Sequence, residues 1–136
     1  MGQFSQKSLD RLNTCHPDLQ HLFVEVVKNY DCAVICGHRN KEDQDEAVLS
    51  GKSQVEYPHS KHNSFLSLAV DVVPFPIDWN DTNRFYHFAG YVLGVAKELG
   101  IKVRWGGDWD GDLNFRDEKF RDFPHYELLG LSESSK

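Results

Sequence analysis

The stretch Leu68-Ala69-Val70-Asp71-Val72-Val73 decides the fold, because it is an apolar strand with one carboxylate in its middle. Successive side chains of a strand point to opposite faces, so Val70 and Val72 face one side and Asp71 faces the other. A buried carboxylate without a partner costs several kcal/mol. The strand therefore predicts that a cation, an arginine or hydrogen-bond donors lie against Asp71.

Helices and further strands surround this central strand. Pro17 suits the first helical position, apolar residues then recur at three-four spacing, and Gly100 is a natural C-cap. The predicted helices cover 17–27, 41–49 and, after a cap at Asn80 or Asp81, the segment to Leu99; the predicted strands cover 31–36, 101–105 and 125–129. Since the helices come first and the strands are interleaved later, we predict an α+β fold with a small, mostly antiparallel sheet.

Composition limits both the domain count and the function. The 136 residues fit one domain, 1–136, with a polar tail at 132–136. Hydrophobic residues make up 40% and charged residues 26%, as in globular proteins. The net charge of −6 argues against nucleic-acid binding and against docking on anionic membranes. The seven histidines beside 21 acidic residues are the unusual feature.

The N-terminus and the cysteines bear on compartment. Residues 1–10 show neither a basic nor an apolar signal region, and no apolar run reaches the length of a membrane helix.

The number of cysteines is odd, which is typical of free thiols: Cys15, Cys32 and Cys36. Cys32 and Cys36 lie four strand residues apart, about 13 Å, which is too far for a disulfide. We expect core thiols in a chain that is made in a cytosol.

Two histidines and two aspartates suggest a metal site. Asp71 follows Ser60-Lys61-His62, and Asp122-Phe123-Pro124-His125 lies near the C-terminus. Two histidines and one aspartate can hold Zn²⁺ and leave its fourth position open for water. Spacing alone also allows a solvated loop histidine at His62 and an ordinary salt bridge at Asp71.

At these residues the chain resembles the zinc peptidases of the D-alanyl-D-alanine carboxypeptidase and VanY type, family M15. The resemblance is strongest to phage endolysins that are L-alanyl-D-glutamate peptidases. It spans nearly the whole chain and rests on Ser60-x-His62, Ala69-x-Asp71, Asp122-x-x-His125, Gly37-His38-Arg39 with Gln44, the stretch 71–79 and Gly106-Gly107-Asp108-Trp109. It implies a hedgehog/DD-peptidase-like fold.

The chain departs from the family pattern at one point. His62 and Asp71 are nine residues apart instead of seven, and Ser67 stands where the family has glycine. A two-residue insertion in 63–66 accounts for both differences and keeps both ligands. His59 is the rival ligand, but it is further from Asp71 and lacks the Ser-x-His context.

The resemblance implies a role for each matching residue. His62, Asp71 and His125 would bind Zn²⁺, and Asp122 would be the general base and acid. Arg39 would stabilise the oxyanion on the scissile carbonyl or hold a substrate carboxylate; a surface pair with Glu42 or Asp43 is the alternative.

Further residues of the resemblance have open roles. Gln44 and Ser60 are candidates for substrate binding, with an exposed helix residue and a simple turn as their respective alternatives. Asp108 is either a carboxylate that orients a ligand histidine or a turn residue. The three tryptophans either line a groove or belong to the core: Trp79, Trp105 and Trp109. The acidic loop 108–117 leaves open whether calcium regulates activity.

The resemblance implies a zinc endopeptidase that cleaves the L-Ala–D-Glu bond of bacterial peptidoglycan stem peptides. We expect a phage endolysin, monomeric, that accumulates in the host cytoplasm and reaches the cell wall once a holin opens the membrane. The alternatives are a D,D-carboxypeptidase or D-Ala-D-Ala dipeptidase, and a non-catalytic zinc-containing peptidoglycan-binding module.

Overall fold

Four antiparallel strands and four helices make up the fold in a computed structural model that describes residues 2–108 and 122–130. The strands are β1 (Cys32–Cys36), β2 (Ala69–Pro74), β3 (Val103–Trp105) and β4 (His125–Leu128), in the sheet order β1-β2-β4-β3. The helices are α1 (Gln6–Leu12), α2 (Pro17–Val27), α3 (Lys41–Leu49) and α4 (Thr82–Leu99). The predicted α+β class with an antiparallel sheet is confirmed.

Local sequence signals account for the helix ends. Pro17 occupies the first turn of α2, and the Asp81 side chain caps α4 by accepting from the Arg84 amide. Gly100 ends α4 with φ of 74°, a left-handed conformation that glycine adopts without a Cβ penalty. Asn40 caps α3 by accepting from the Asp43 amide. Sequence analysis therefore located these three helices within a residue or two.

The two faces of the sheet have opposite character. Val34, Val70, Val72, Tyr126 and Leu128 enter the hydrophobic core, where they meet the apolar sides of α2 and α4. Each fully buried side chain of this size contributes roughly 1.5–3 kcal/mol. Because strand side chains alternate, the intervening residues of β2 and β4 face the other way. That second face carries the polar groups described below.

The first helix was not predicted. α1 begins after Ser5, whose side chain accepts from the Ser8 amide, and it buries Ser8 and Leu12. Gly37, at the end of β1, packs so closely on it that a Cβ there would collide with the Thr14 hydroxyl and the Arg11 carbonyl. α1 thus fixes the end of β1, where the predicted site begins.

The described residues include no helix that is both long and apolar enough to span a membrane. All three cysteines are free, as predicted, with Cys15 and Cys32 buried. The predicted tail 132–136, Trp109 and most of the acidic loop 108–117 lie outside the described residues.

Candidate active site

The pairing of β2 with β4 brings two of the predicted ligands together. Asp71 lies directly opposite His125 in the antiparallel register, and Cys36 of β1 lies opposite Asp71 on its other side. These three side chains share the polar face of the sheet. The carboxylate that interrupts the apolar strand is therefore the centre of this face.

Asp71 has the partners that its burial demands. Its Oδ1 lies 3.2 Å from His62 Nε2 and 3.4 Å from His125 Nδ1, and its Oδ2 accepts from Arg39 Nη2 at 3.3 Å. Burial alone favours the neutral acid, but the charge of His62 and the hydrogen bond from His125 outweigh it. Together these groups hold the pKa of Asp71 well below its usual range.

His62 is oriented by the backbone on both sides. The Ser60 hydroxyl accepts from the His62 amide and caps a single 3₁₀ turn, Lys61–Asn63. His62 Nδ1 lies 2.7 Å from the Gly37 carbonyl, which can only accept, so Nδ1 carries a proton and the ring is oriented with Nε2 facing Asp71. Burial lowers the pKa of His62 and so favours the neutral ring that a metal requires.

The nine-residue spacing does not separate His62 from Asp71. The amide of Leu68 donates to the Lys61 carbonyl at 3.0 Å, which closes the intervening segment into a loop. Phe65, inside that loop, is 72% exposed. This loop brings His62 next to Asp71 across the nine-residue separation, and the insertion in 63–66 stays a prediction. His59, the rival ligand, is exposed.

His125 is held by a carboxylate from its own strand. Its Nε2 donates to Glu127 Oε1 at 2.7 Å, and both residues lie on the polar face because they are two positions apart. Burial opposes the charged ring, but the hydrogen bonds to Asp71 and Glu127 outweigh it and raise the pKa of His125 to about 9. Glu127 in turn has its pKa lowered to about 2, because the bonds to His125 and Arg104 outweigh its burial.

The donors around Asp71 could hold a metal ion. Two ligands of a tetrahedral Zn²⁺ shell are about 3.3 Å apart, close to the distances from Asp71 Oδ1 to the two histidine nitrogens. Among the described residues, two groups of three donors lie within 4.8 Å: Asp71 with Asp122 and His125, and Asp71 with His62 and Cys36. Each group contains two of the three predicted ligands, and Asp71 is common to both. Burial raises the pKa of the Cys36 thiol to about 11.

Asp122 lies beside the predicted ligands on a tight turn. The amide of His125 donates to the Asp122 carbonyl, and the Asp122 amide donates to Gly106. Its Oδ2 is 3.8 Å from His125 Nδ1. Burial, and after it the negative charge of Asp71, raises the pKa of Asp122 to about 6. A carboxyl group that titrates near neutrality suits the general base and acid predicted here.

Arg39 and Gln44 form a buried pair. Arg39 points inwards to Asp71, so the alternative of a surface pair with Glu42 or Asp43 is wrong. Gln44 Oε1 accepts from Arg39 and Asn63, and its Nε2 donates to Ser53 and to the Val55 carbonyl. All four hydrogen-bonding positions of the amide are thereby used. Gln44 is thus buried rather than exposed, and its geometry suits holding Arg39 better than contacting a substrate.

Two clefts meet at Arg39 and Asp122. The larger, about 660 Å³, runs past Cys36, Trp79 and Phe123. The smaller, about 410 Å³, contains Ser60, His62 and His125 together with Lys61, Arg104 and Glu127. Trp79 therefore lines a groove, whereas Trp105 is core.

Comparison with known proteins assigns the chain to a family. The profile of the phage L-alanyl-D-glutamate peptidases matches residues 1–129. The chain belongs to this family. The L-alanyl-D-glutamate peptidase of Escherichia phage T5 is 31% identical over 135 residues, covering 93% of this chain and 98% of that protein. The crystal structure of the Serratia marcescens L-Ala D-Glu endopeptidase ChiX is 29% identical, with a TM-score of 0.71, and covers 93% of this chain and 90% of that one.

Sequence reasoning about this peptidase missed Glu127. The available signal was the pattern His125-x-Glu127 on a predicted strand, since period-two alternation places both side chains on one face. Asp108 was the residue considered for orienting a ligand histidine, and it is buried in the turn after β3. The carboxylate bonded to His125 Nε2 is Glu127.

Replacing Glu127 with glutamine is expected to weaken Zn²⁺ binding at the predicted metal site about 10- to 100-fold, the usual effect of losing a partner of a ligand histidine. The cause is the loss of the charged acceptor that orients His125. The dissociation constant is measured by competition with a chromophoric chelator. Glu98→Gln, at the exposed end of α4, is the matched control. Equal affinities for both variants and the wild type would show that Glu127 does not support the metal.

Proposed function

We propose that the chain is a zinc-dependent endopeptidase that hydrolyses the L-Ala–D-Glu amide bond of peptidoglycan stem peptides. The observation that carries the proposal is the position of Asp122, next to His125 and at the junction of both clefts. Membership of the peptidase family supports the scissile bond.

The proposed ligands are His62, Asp71 and His125. When bound, Zn²⁺ supplies a Lewis acid and lowers the pKa of water to about 7. The protein's own groups then orient the reaction. The Gly37 carbonyl sets the tautomer of His62, and Glu127 sets that of His125.

Asp122 is the proposed proton-transfer group. It takes a proton from the attacking water and gives it to the amine that leaves with D-Glu. Its raised pKa suits both steps, because the group exchanges protons near neutral pH. The turn that joins it to His125 holds the carboxyl group in place.

Arg39 is the proposed stabiliser of negative charge on the scissile carbonyl. It borders both clefts, and Asp71 and Gln44 fix its guanidinium. Buried, pre-oriented donors of this kind stabilise a developing oxyanion strongly. Gln44 acts by holding Arg39, and Ser60 orders the turn of His62 while lining the smaller cleft.

The proposal extends to the biological setting. Residues 1–136 form one catalytic domain that acts as a monomer on the cell wall. The enzyme collects in the cytoplasm of the infected bacterium and depends on a holin for access to its substrate. Since the net charge is −6, recognition of the wall comes from the clefts and not from bulk electrostatics.

Digestion of purified peptidoglycan, followed by mass spectrometry of the products, tests this function. We expect new L-Ala carboxyl termini and new D-Glu amino termini. Release of free D-Ala or of D-Ala-D-Ala, with the L-Ala–D-Glu bond intact, would instead identify a carboxypeptidase or dipeptidase. Binding to the wall without any product would identify a binding module.

A further inference from the structure

An aromatic side chain in the larger cleft is exposed although it is stacked on the core. Trp79 lines this cleft and is 54% exposed. Its ring stacks on the buried ring of Phe85 at 5.6 Å, with 22° between the planes, and Phe85 stacks in the same way on Phe123 at 5.8 Å. Phe85 therefore covers one face of the indole, and the exposed part of Trp79 leaves the other face open to a ligand.

The segment that carries Trp79 is anchored to α4. Arg84 of α4 donates from its two Nη atoms to the carbonyls of Pro76 and Phe75, at 2.8 and 3.1 Å. Phe85, the next residue of the helix, supplies the ring on which Trp79 rests. Because the indole is fixed before a ligand arrives, little conformational entropy is lost when one binds. The open face of Trp79 is thus a preformed contact surface.

The stacked rings connect this surface to the proposed proton-transfer group. Phe123 directly follows Asp122, and both residues line the larger cleft. Two ring-to-ring steps, of 5.6 and 5.8 Å, separate Trp79 from Phe123. An extended chain advances about 3.5 Å per residue. A group that contacts Trp79 is therefore only a few residues away from the bond that is cleaved.

The proposed substrate carries a sugar at about this distance. In peptidoglycan the L-Ala of the stem peptide is joined through a lactyl group to N-acetylmuramic acid. L-Ala and the lactyl group together span about 7 Å, since each is about as long as one residue. The larger cleft, of about 660 Å³, is within the size range of sites that hold whole small molecules. It has room for a sugar ring beyond the alanine.

The lining of the larger cleft suits a pyranose ring. Such a ring presents C–H groups on its faces and hydroxyl groups at its edge, and C–H groups pack well on the electron-rich face of an indole. Exposed polar side chains on and after α3 line the same cleft and can bond hydroxyl and amide groups: Asp43, Glu46 and Lys52. Among the described residues, those that line the smaller cleft include no phenylalanine, tyrosine or tryptophan. The larger cleft is therefore the better match for a sugar.

We propose that Trp79 is the platform of a subsite for the N-acetylmuramic acid ring on the L-Ala side of the scissile bond, an inference that rests on the proposed function. The sugar ring lies on the open face of the indole, and its polar edge meets the side chains of α3. The subsite makes the enzyme distinguish a stem peptide that is still attached to its sugar from one that has been detached.

Two substrates that differ only in the sugar test the subsite. One is a stem peptide whose L-Ala carries the N-acetylmuramyl group, and the other is the same peptide with an acetyl group on L-Ala, so both are uncharged at that nitrogen. Wild-type enzyme is expected to cleave the muramyl peptide with a kcat/KM about 10- to 50-fold higher, the effect of covering one aromatic face. Trp79→Ala brings the ratio close to one by losing activity on the muramyl peptide alone. Trp79→Phe, which keeps a smaller flat ring, retains part of the preference.

Phe75→Ala is the matched control, because Phe75 is also 54% exposed but lines neither cleft. It keeps the wild-type preference, and thermal unfolding of every variant shows whether the fold is intact. Equal kcat/KM of the wild type for both substrates would overturn the subsite and leave the proposed function standing. So would an equal loss on both substrates in Trp79→Ala, since Trp79 would then contact the peptide or support the fold. If the wild type leaves the L-Ala–D-Glu bond intact in both substrates and in purified cell walls, the proposed function fails and the subsite fails with it.

Discussion

Replacing Asp122 with asparagine is expected to lower kcat/KM on peptidoglycan about 10²- to 10⁴-fold, the range that a general acid–base group contributes. Asparagine keeps the size of the side chain and the turn to His125, but it cannot accept and return a proton. Zinc content should stay at the wild-type level, because the proposed ligands are untouched. Turnover is measured on purified cell walls, and metal content by atomic absorption.

A control variant and two alternative outcomes make the Asp122 experiment decisive. Asp45→Asn, at an exposed carboxylate on α3, changes charge equally and should leave turnover unchanged. Loss of zinc from the Asp122 variant would instead make Asp122 a ligand, which its position within 4.8 Å of Asp71 and His125 permits geometrically. Equal inactivity of the wild type and the Asp122→Ala variant on cell walls would favour a binding module.

Replacing His62 with alanine is expected to weaken Zn²⁺ binding by more than about 100-fold, beyond the usual effect of losing a ligand's partner. The cause is the loss of the His62 nitrogen that lies 3.2 Å from Asp71 Oδ1, whereas Arg39 contacts the other oxygen, Oδ2. Activity should fall with the metal. The dissociation constant is measured by chelator competition after removal of bound metal.

His59→Ala is the matched control, since His59 lies in the same loop but is exposed. It should bind zinc like the wild type. The reverse pattern, with zinc lost from the His59 variant and retained by the His62 variant, would overturn the ligand assignment. Near-UV circular dichroism distinguishes loss of the ligand from loss of the fold.

The α+β fold was predictable because its signals are local. Capping residues and apolar periodicity locate α2 and α4. The carboxylate of Asp71 in an apolar strand predicts a cation or a hydrogen-bond donor beside it. In the structure three side chains contact Asp71: Arg39, His62 and His125. Spacing alone left alternatives open at His62 and Asp71, and the resemblance to the M15 peptidases supplied the candidate set.

The supporting contacts were not predictable because they depend on tertiary register. Glu127 meets His125 within one strand, but its contact with Arg104 exists only through the β3–β4 pairing. Gln44 has the pattern of a polar helix residue, and it is buried because the 53–55 segment folds over it. α1 was missed because a seven-residue helix carries too little periodicity.

The pairing of β2 with β4 also has a consequence for synthesis. A nascent chain exposes Asp71 early, but it has neither Asp122 nor His125 until β4 leaves the ribosome. Since chains emerge from the N-terminus and long-range pairing forms late, the candidate active site closes only after β4 has been made. Products shortened before His125 should be inert, so the order of translation itself keeps activity from appearing before β2 and β4 have paired.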